Sequence, residues 1–95
     1  MYDFFVINSC KKDFKKLSRE AQLFIRHNIF PILLKNPIAG EKLKGQEFKS
    51  LYKFGVRFKA TDYRIIYKIK NNELIIIFIM IASRKNFYKK LKRRA

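Results

Sequence analysis

The sequence predicts an α+β fold: two N-terminal helices packed on a small, mainly antiparallel sheet, in the order β-α-α-β-β-β with a short C-terminal helix. Three observations carry this. From Leu51 to Ile69, apolar and polar residues alternate on either side of a turn at Ala60 and Thr61, the period-two pattern of a half-buried antiparallel pair. Leu17, Ala21, Phe24, Ile25, Ile29 and Leu33 recur instead at the spacing of one helical face. From Leu74 to Ala82 the chain is apolar without alternation, which places that strand centrally, buried on both faces.

Each element has its own signal. Tyr2 to Ile7 is aromatic and branched and reads as a first strand. Asn8 or Ser9 supplies a cap for a brief helix ending near Leu17, since a side-chain oxygen there accepts from an orphan backbone N–H. Phe14 and Leu17 face inward on it, with Lys11, Lys12, Lys15 and Lys16 outside. Ser18 caps the second helix, which runs to about Lys35. Pro31 is expected to kink or split that helix, because it removes a donor and crowds the preceding turn. Asn36 and Pro37 end it, and Gly40 and Gly45 mark an irregular connection. Asn71 and Asn72 form a two-residue turn before the last strand, as Asn tolerates positive φ. With that turn, Leu74, Ile76, Phe78 and Met80 share the core face of Tyr67 and Ile65, while Ile75, Ile77 and Ile79 fall on the other face and need cover. Ser83 to Leu91 reads as a short helix or turn, and the tail from Lys89 to Arg94 adds five cations.

Ninety-five residues suffice for one domain spanning positions 1–95 and a single core. Apolar residues make up 48% and aromatics 16%, so the chain folds despite a formal charge of +16. Such a charge opposes compaction and favours a polyanionic partner: nucleic acid first, an acidic protein second, an anionic membrane surface third. Lysine, isoleucine, asparagine and phenylalanine are all abundant, as coding bias alone can produce, so a patterned arginine carries more weight than a lysine. Cys10 is the lone cysteine and His27 the lone histidine, which excludes a disulfide framework and a zinc constellation. His27 reads as a partly exposed helix residue. The apolar run before Ala82 is about half the ~20 residues of a spanning helix, and a secretory signal is not expected. The expectation is a cytoplasmic protein.

The outer face of the central hairpin concentrates charge. Lys53, Arg57 and Lys59 lie on one strand, and Arg64 and Lys68 on the next. With Phe58 opposite Tyr63, Arg57 meets Arg64, Lys53 meets Lys68, and Lys59 alone meets an acid, Asp62. Like charges directly across a ladder are destabilising, so this pairing predicts a bound anion. The plainer alternative is a solvated outer face.

Three stretches, NPIAGEKLKG (Asn36–Gly45), DYRIIYKI (Asp62–Ile69) and IASRKNFYKKL (Ile81–Leu91), in this order, give the chain a resemblance to the RelE/ParE superfamily of toxins from prokaryotic toxin–antitoxin pairs, RelE-like branch. The resemblance implies a compact α+β toxin that binds a cognate, acidic antitoxin and uses no cofactor or metal. RelE-like members cut messenger RNA, typically in the ribosomal A site; ParE-like members poison DNA gyrase. The cutting branch implies catalytic roles for Arg64, Arg84 and Tyr88, with Arg57 and Lys59 supplying further cations, and RNA contacts from Lys53, Lys68, Lys85, Lys89 and Lys90. A Glu and C-terminal His pair, used by some related nucleases, has no counterpart here, and Gly55 stands where a cation is expected.

Cutting RNA without a metal uses the 2′-hydroxyl as nucleophile and yields a cyclic phosphate. Arg57 and Arg64 suit phosphate oxygens, and Arg84 the leaving oxygen. Lys59 or Lys53 can serve as base once crowding by like charge has taken its proton. Tyr88 stacks on a base, donates a proton, or packs in the core. The alternatives are a gyrase inhibitor without nuclease chemistry and an inactive basic nucleic-acid-binding module.

Overall fold

The computed structural model describes residues 2–44, 50–84 and 91. It holds β1 (Asp3–Val6), α1 (Asn8–Lys15), α2 (Arg19–Phe24), a π-helical turn Ile25–Ile29, α3 (Phe30–Lys35), a 3-10 turn Pro37–Ala39, β2 (Glu41–Lys42), β3 (Leu51–Phe58), β4 (Thr61–Lys70), a 3-10 turn Asn71–Glu73 and β5 (Ile75–Ser83). The five strands form one sheet in the order β1-β5-β4-β3-β2. β1 pairs parallel with β5, and the other neighbours are antiparallel.

This corrects the expected fold. The class is α+β, but the sheet is mixed and five-stranded, and the order is β-α-α-β-β-β-β. The helical part is a short α1 followed by one long rod through residues 19–35. The missed strand, β2, is two residues long and pairs Glu41 with Lys53 and Lys42 with Tyr52; two residues are too few to display alternation. β5, expected at the centre, is interior but second from the edge, between β1 and β4. Of the expected C-terminal segment Ser83–Leu91, Ser83 is the last residue of β5, Arg84 follows it, and Leu91 is helical and fully buried; the rest lies outside the described residues.

The long helix is capped as Ser18 suggests: its side chain accepts from the backbone N–H of Ala21 at 3.1 Å. α1 differs. Ile7 occupies its cap position and, with no acceptor on its side chain, makes no cap bond. Pro31 neither breaks the rod nor sits in an ordinary α turn. The π turn Ile25–Ile29 precedes α3, with the proline in that helix's first turn, and the extra residue relieves the clash of the ring with the carbonyl four residues back.

One face of the sheet receives the helices. Ile25, Ile29, Phe30 and Leu33 meet Val56, Ile65, Tyr67, Ile76, Phe78 and Ile81, with Cys10 enclosed among them. Phe30 stacks on Phe78 at 4.3 Å between centroids, and Tyr67 stacks on Tyr52 at 5.6 Å. Aromatic pairs of this kind add about 0.5–1.5 kcal/mol beyond the area they bury. Asp13 is buried on the inner side of α1, and its Oδ2 accepts from the N–H of Ile81 at 3.3 Å. β1 reaches only as far along β5 as Phe78, so a carboxylate takes over where the strand ends.

A bulge between Ile66 and Tyr67 in the β4–β5 pairing makes Tyr67 face Phe78 while Ile66 faces Met80. The sequence alternation therefore changes phase at Ile79. Met80 leaves the helical face expected of it and joins Leu43, Leu51, Ile66, Ala82 and Leu91 on the opposite side, while Ile81 takes its place. The Asn71–Asn72 turn is also longer than expected. Asn71–Glu73 form a 3-10 turn, and Leu74 takes a left-handed φ of 54° instead of entering the strand.

Candidate nucleic-acid interface

The face of the sheet away from the helices gathers the cations, and the hairpin register decides how. The turn falls at Lys59–Ala60, one position earlier than the sequence suggests: Phe58 pairs with Thr61, Arg57 with Asp62, Gly55 with Arg64 and Lys53 with Ile66. Every partner moves by two residues, so faces are kept while neighbours change. The predicted Arg57–Arg64 and Lys53–Lys68 oppositions do not occur. Arg57 Nη1 instead meets Asp62 Oδ1 at 3.5 Å, and Lys68 lies across from Leu51. The turn is drawn to this position by α2: Phe24 and Phe58 have centroids 4.8 Å apart, and Lys59 pairs with Glu20. Lys59 adopts a φ of 55° to make the turn.

Arg57 and Arg64 remain diagonal neighbours on this face, a separation within reach of long side chains. Lys53 precedes Arg57 by four residues on β3, and Lys68 follows Arg64 by four on β4, in each case about 14 Å along the strand at ~3.4 Å per residue. Arg84 is exposed and follows Ser83, the β5 partner of Tyr63. It therefore leaves the sheet beside the end of β4 that carries Asp62 and Arg64. Lys59 is the sequence-predicted residue that stands apart, held at the hairpin tip by a helix carboxylate. Tyr88, Lys85, Lys89 and Lys90 lie outside the described residues.

Both lysines offered as a base face a carboxylate: Lys53 Nζ lies 3.5 Å from Glu41 Oε2, and Lys59 is paired with Glu20.

Beside Arg64 the sheet opens into a cleft of about 360 Å³, lined by Ala39, Gly40, Glu41, Lys53, Phe54, Gly55 and Arg64. Gly55 faces Arg64 across the ladder, and a Cβ there would touch nothing within 4 Å. Glycine inside a strand weakens it and is common where another group must approach closely; here it leaves the space beside the guanidinium open. Glu41 and this cleft are not apparent in the sequence, because they depend on the two-residue pairing of β2. The motif GEKLKG was the sole signal available.

The cleft's outer wall is fixed from beneath by Tyr67. Its hydroxyl donates to the carbonyl of Pro37 at 2.6 Å and accepts from the N–H of Gly40 at 3.1 Å. Burial raises the Tyr67 phenol above its ordinary value of 10.0, with a smaller push from Tyr52 and an opposing pull from the Gly40 hydrogen bond. The unfolded chain then loses this proton at lower pH than the native one. The stabilisation is whole below about pH 10 and drains away as pH rises through the native value. Alkaline unfolding followed by circular dichroism should be steeper above pH 10 in the wild type than in Tyr67→Phe.

Away from the cleft the same face is apolar. Leu91 covers Ile79 together with Leu51, Ile66 and Met80, which answers part of the need for cover. Ile75 and Ile77 stay half-buried, and Phe5, the β1 partner of Ile77, is 59% exposed. Among the described residues no group of three His, Cys, Asp or Glu could hold a metal ion. No helix among them is long and apolar enough to cross a membrane.

Arg57 and Arg64 thus share the sheet face turned from the helices in a chain of formal charge +16. The chain belongs to the ParE-like toxins of type II bacterial toxin–antitoxin systems, whose family model matches residues 5–92, in agreement with the superfamily resemblance of the sequence. The fold is similar to that of a double mutant of the Escherichia coli toxin RelE in the free state (TM-score 0.75, 18% identity, covering 99% of this chain and 93% of that one). It is also similar to a RelBE toxin–antitoxin complex from Mycobacterium tuberculosis (TM-score 0.73, 18% identity, 87% and 98% covered). A third likeness is to an archaeal RelE–RelB complex from Pyrococcus horikoshii (TM-score 0.64, 19% identity, 87% and 94% covered). No curated protein sequence matches the chain.

Proposed function

We propose that this toxin is a metal-independent endoribonuclease that cuts messenger RNA on the ribosome in the cytoplasm. The observation that carries the reading is the cationic face itself: Lys53, Arg57 and Arg64 share one side of the sheet, and Arg84 leaves β5 at the same end. Guanidinium forks hold phosphate oxygens in two-pronged fashion, and fixed cations are worth most where charge develops, on the crowded phosphorane. Tyr88 would stack on a base or donate a proton. Such a set has little power over a flexible strand, so the ribosome would supply substrate orientation. The lysines would grip ribosomal RNA, with binding that weakens steeply as salt rises.

An antitoxin would neutralise the same face. The RelE relatives that occur in complexes with RelB and the charge of +16 support an acidic partner. It would cover Phe5, Ile75 and Ile77 with a helix or an added strand.

The ParE-like family match supports a second reading, inhibition of DNA gyrase by binding alone. Toeprinting on programmed ribosomes, run beside a gyrase supercoiling assay, separates the two. The nuclease reading expects new messenger ends on ribosomes, few on free RNA, and unimpaired supercoiling; intact messenger with blocked supercoiling would select the gyrase inhibitor.

A further inference from the structure

We infer that the helical side of the sheet carries a second RNA site, a pocket that takes one unpaired base together with its flanking phosphates. It lies across the sheet from Arg57 and Arg64, and it goes beyond the nuclease reading without depending on it. The pocket, about 470 Å³, opens where the edge strand β1 meets α1 and the long helix. Phe4, Phe14 and Phe30 form its apolar part, with the Phe4 and Phe14 centroids 5.9 and 6.2 Å from that of Phe30. Phe30 is buried, whereas Phe4 is 46% exposed despite its aromatic neighbours. Lys11, Lys15 and Arg26 complete the lining. All three are exposed, and none forms an ion pair among the described residues. Asp13, the acid of α1, is buried and accepts from the N–H of Ile81.

A ligand suited to such a pocket has a flat, largely apolar body with anionic groups to either side. An unpaired nucleotide within a strand has that form. Bases splayed from a strand are held by stacking on aromatic rings and guanidinium planes. Arg26 already lies 5.5 Å from the Phe14 centroid, so ring and guanidinium offer adjoining surfaces. Lys11 and Lys15 are four residues apart on α1, which sets them on one face about 5–6 Å apart, close to the step between neighbouring phosphates. Charge complementarity alone would also admit an acidic peptide. A docking helix, however, needs a groove with sites for residues i, i+4 and i+7, and here the phenylalanines gather around the single ring of Phe30. A duplex does not fit, since its bases are already paired and stacked inside it.

The test uses the full chain carrying Arg64→Ala and Arg84→Ala, which weakens the sheet face as a competing site and keeps cleavage out of the measurement. A short fluorescein-labelled oligouridylate, single-stranded or annealed to its complement, is titrated by anisotropy over a range of salt concentrations. Adding Phe4→Leu should lower affinity for the single strand about tenfold at every salt concentration, the scale of one stacked base, and leave the duplex unaffected. Adding Lys11→Gln and Lys15→Gln should instead flatten the slope of log affinity against log salt by about 1.4, at ~0.7 per phosphate contact on a single strand. Iodouridine in the same strand should photocrosslink to Phe4 or Phe14 without any pocket substitution. Unchanged binding by the Phe4→Leu chain, or crosslinks elsewhere or nowhere, overturns the site. So does an acidic, phenylalanine-bearing peptide of equal charge that binds more tightly than the strand and loses its affinity in Phe4→Leu, which would give the pocket to a protein partner.

Discussion

Replacing Arg64 and Arg84 together with alanine is expected to lower cleavage of ribosome-bound messenger by at least about a thousandfold. Loss of one positioned donor to a developing anion typically costs about 10²–10³ in rate. Two donors on one phosphate act as a unit, so the double variant will not equal the product of the singles. Arg64 stands mid-strand, half-buried, against Gly55 and Ala82, whereas Arg84 is exposed beyond the end of β5. Neither belongs to the buried apolar clusters, so the thermal midpoint should move little and the loss can be read as chemistry. Arg64→Lys is the sharper single variant, since it keeps the charge but loses the fork. Cleavage by the double variant within tenfold of wild type would remove both residues from the site.

The second large effect is on stability. Gly40→Ala should destabilise the fold by about 2–4 kcal/mol, combining overpacking with the exposure of a buried hydroxyl to a lost partner. A Cβ at Gly40 would lie 2.3 Å from Tyr67 Oη and 2.7 Å from the carbonyl oxygen of Lys53, both below any real contact. The φ of Gly40 is −80°, which every residue adopts, so the requirement for glycine here is space and not backbone freedom. Relief requires the Pro37–Gly40 turn to lift away from Tyr67, breaking both hydrogen bonds of the phenol and carrying Glu41 away from Lys53. Urea unfolding measures the loss. Adding Tyr67→Phe should rescue it only in part, because the Lys53 carbonyl remains in the way. A Gly40→Ala midpoint equal to wild type would show that the turn is looser than its contacts imply.

How far the sequence carries can be judged residue by residue. Alternation assigned the faces of β3 and β4 correctly, because Tyr52, Phe54 and Val56 meet Tyr67, Ile65 and Tyr63 whichever even register is chosen. It could not choose between registers two residues apart, since both keep the apolar side inward. The choice was made by contacts from α2, Phe24 on Phe58 and Glu20 on Lys59, which lie more than thirty residues away. Repulsion between Arg57 and Arg64 thus gives way to an ion pair with Asp62, while the two arginines still share a face. Likewise, eight apolar residues in β5 announce an interior strand but conceal the bulge that exchanges Met80 and Ile81 between faces. The cleft beside Arg64 was unreadable for a related reason: β2, which walls it, is two residues long and is placed by the turn that Tyr67 holds.

The central claim is that cations from β3, β4 and the end of β5 act together on one RNA phosphate. Mapping transcript 5′ ends genome-wide after brief induction tests it most directly, with wild type and the Arg64→Ala, Arg84→Ala variant side by side. The account predicts abundant new 5′-hydroxyl ends within translated regions for wild type and their disappearance in the variant. Growth arrest with transcripts intact, or the same ends in both strains, would contradict it.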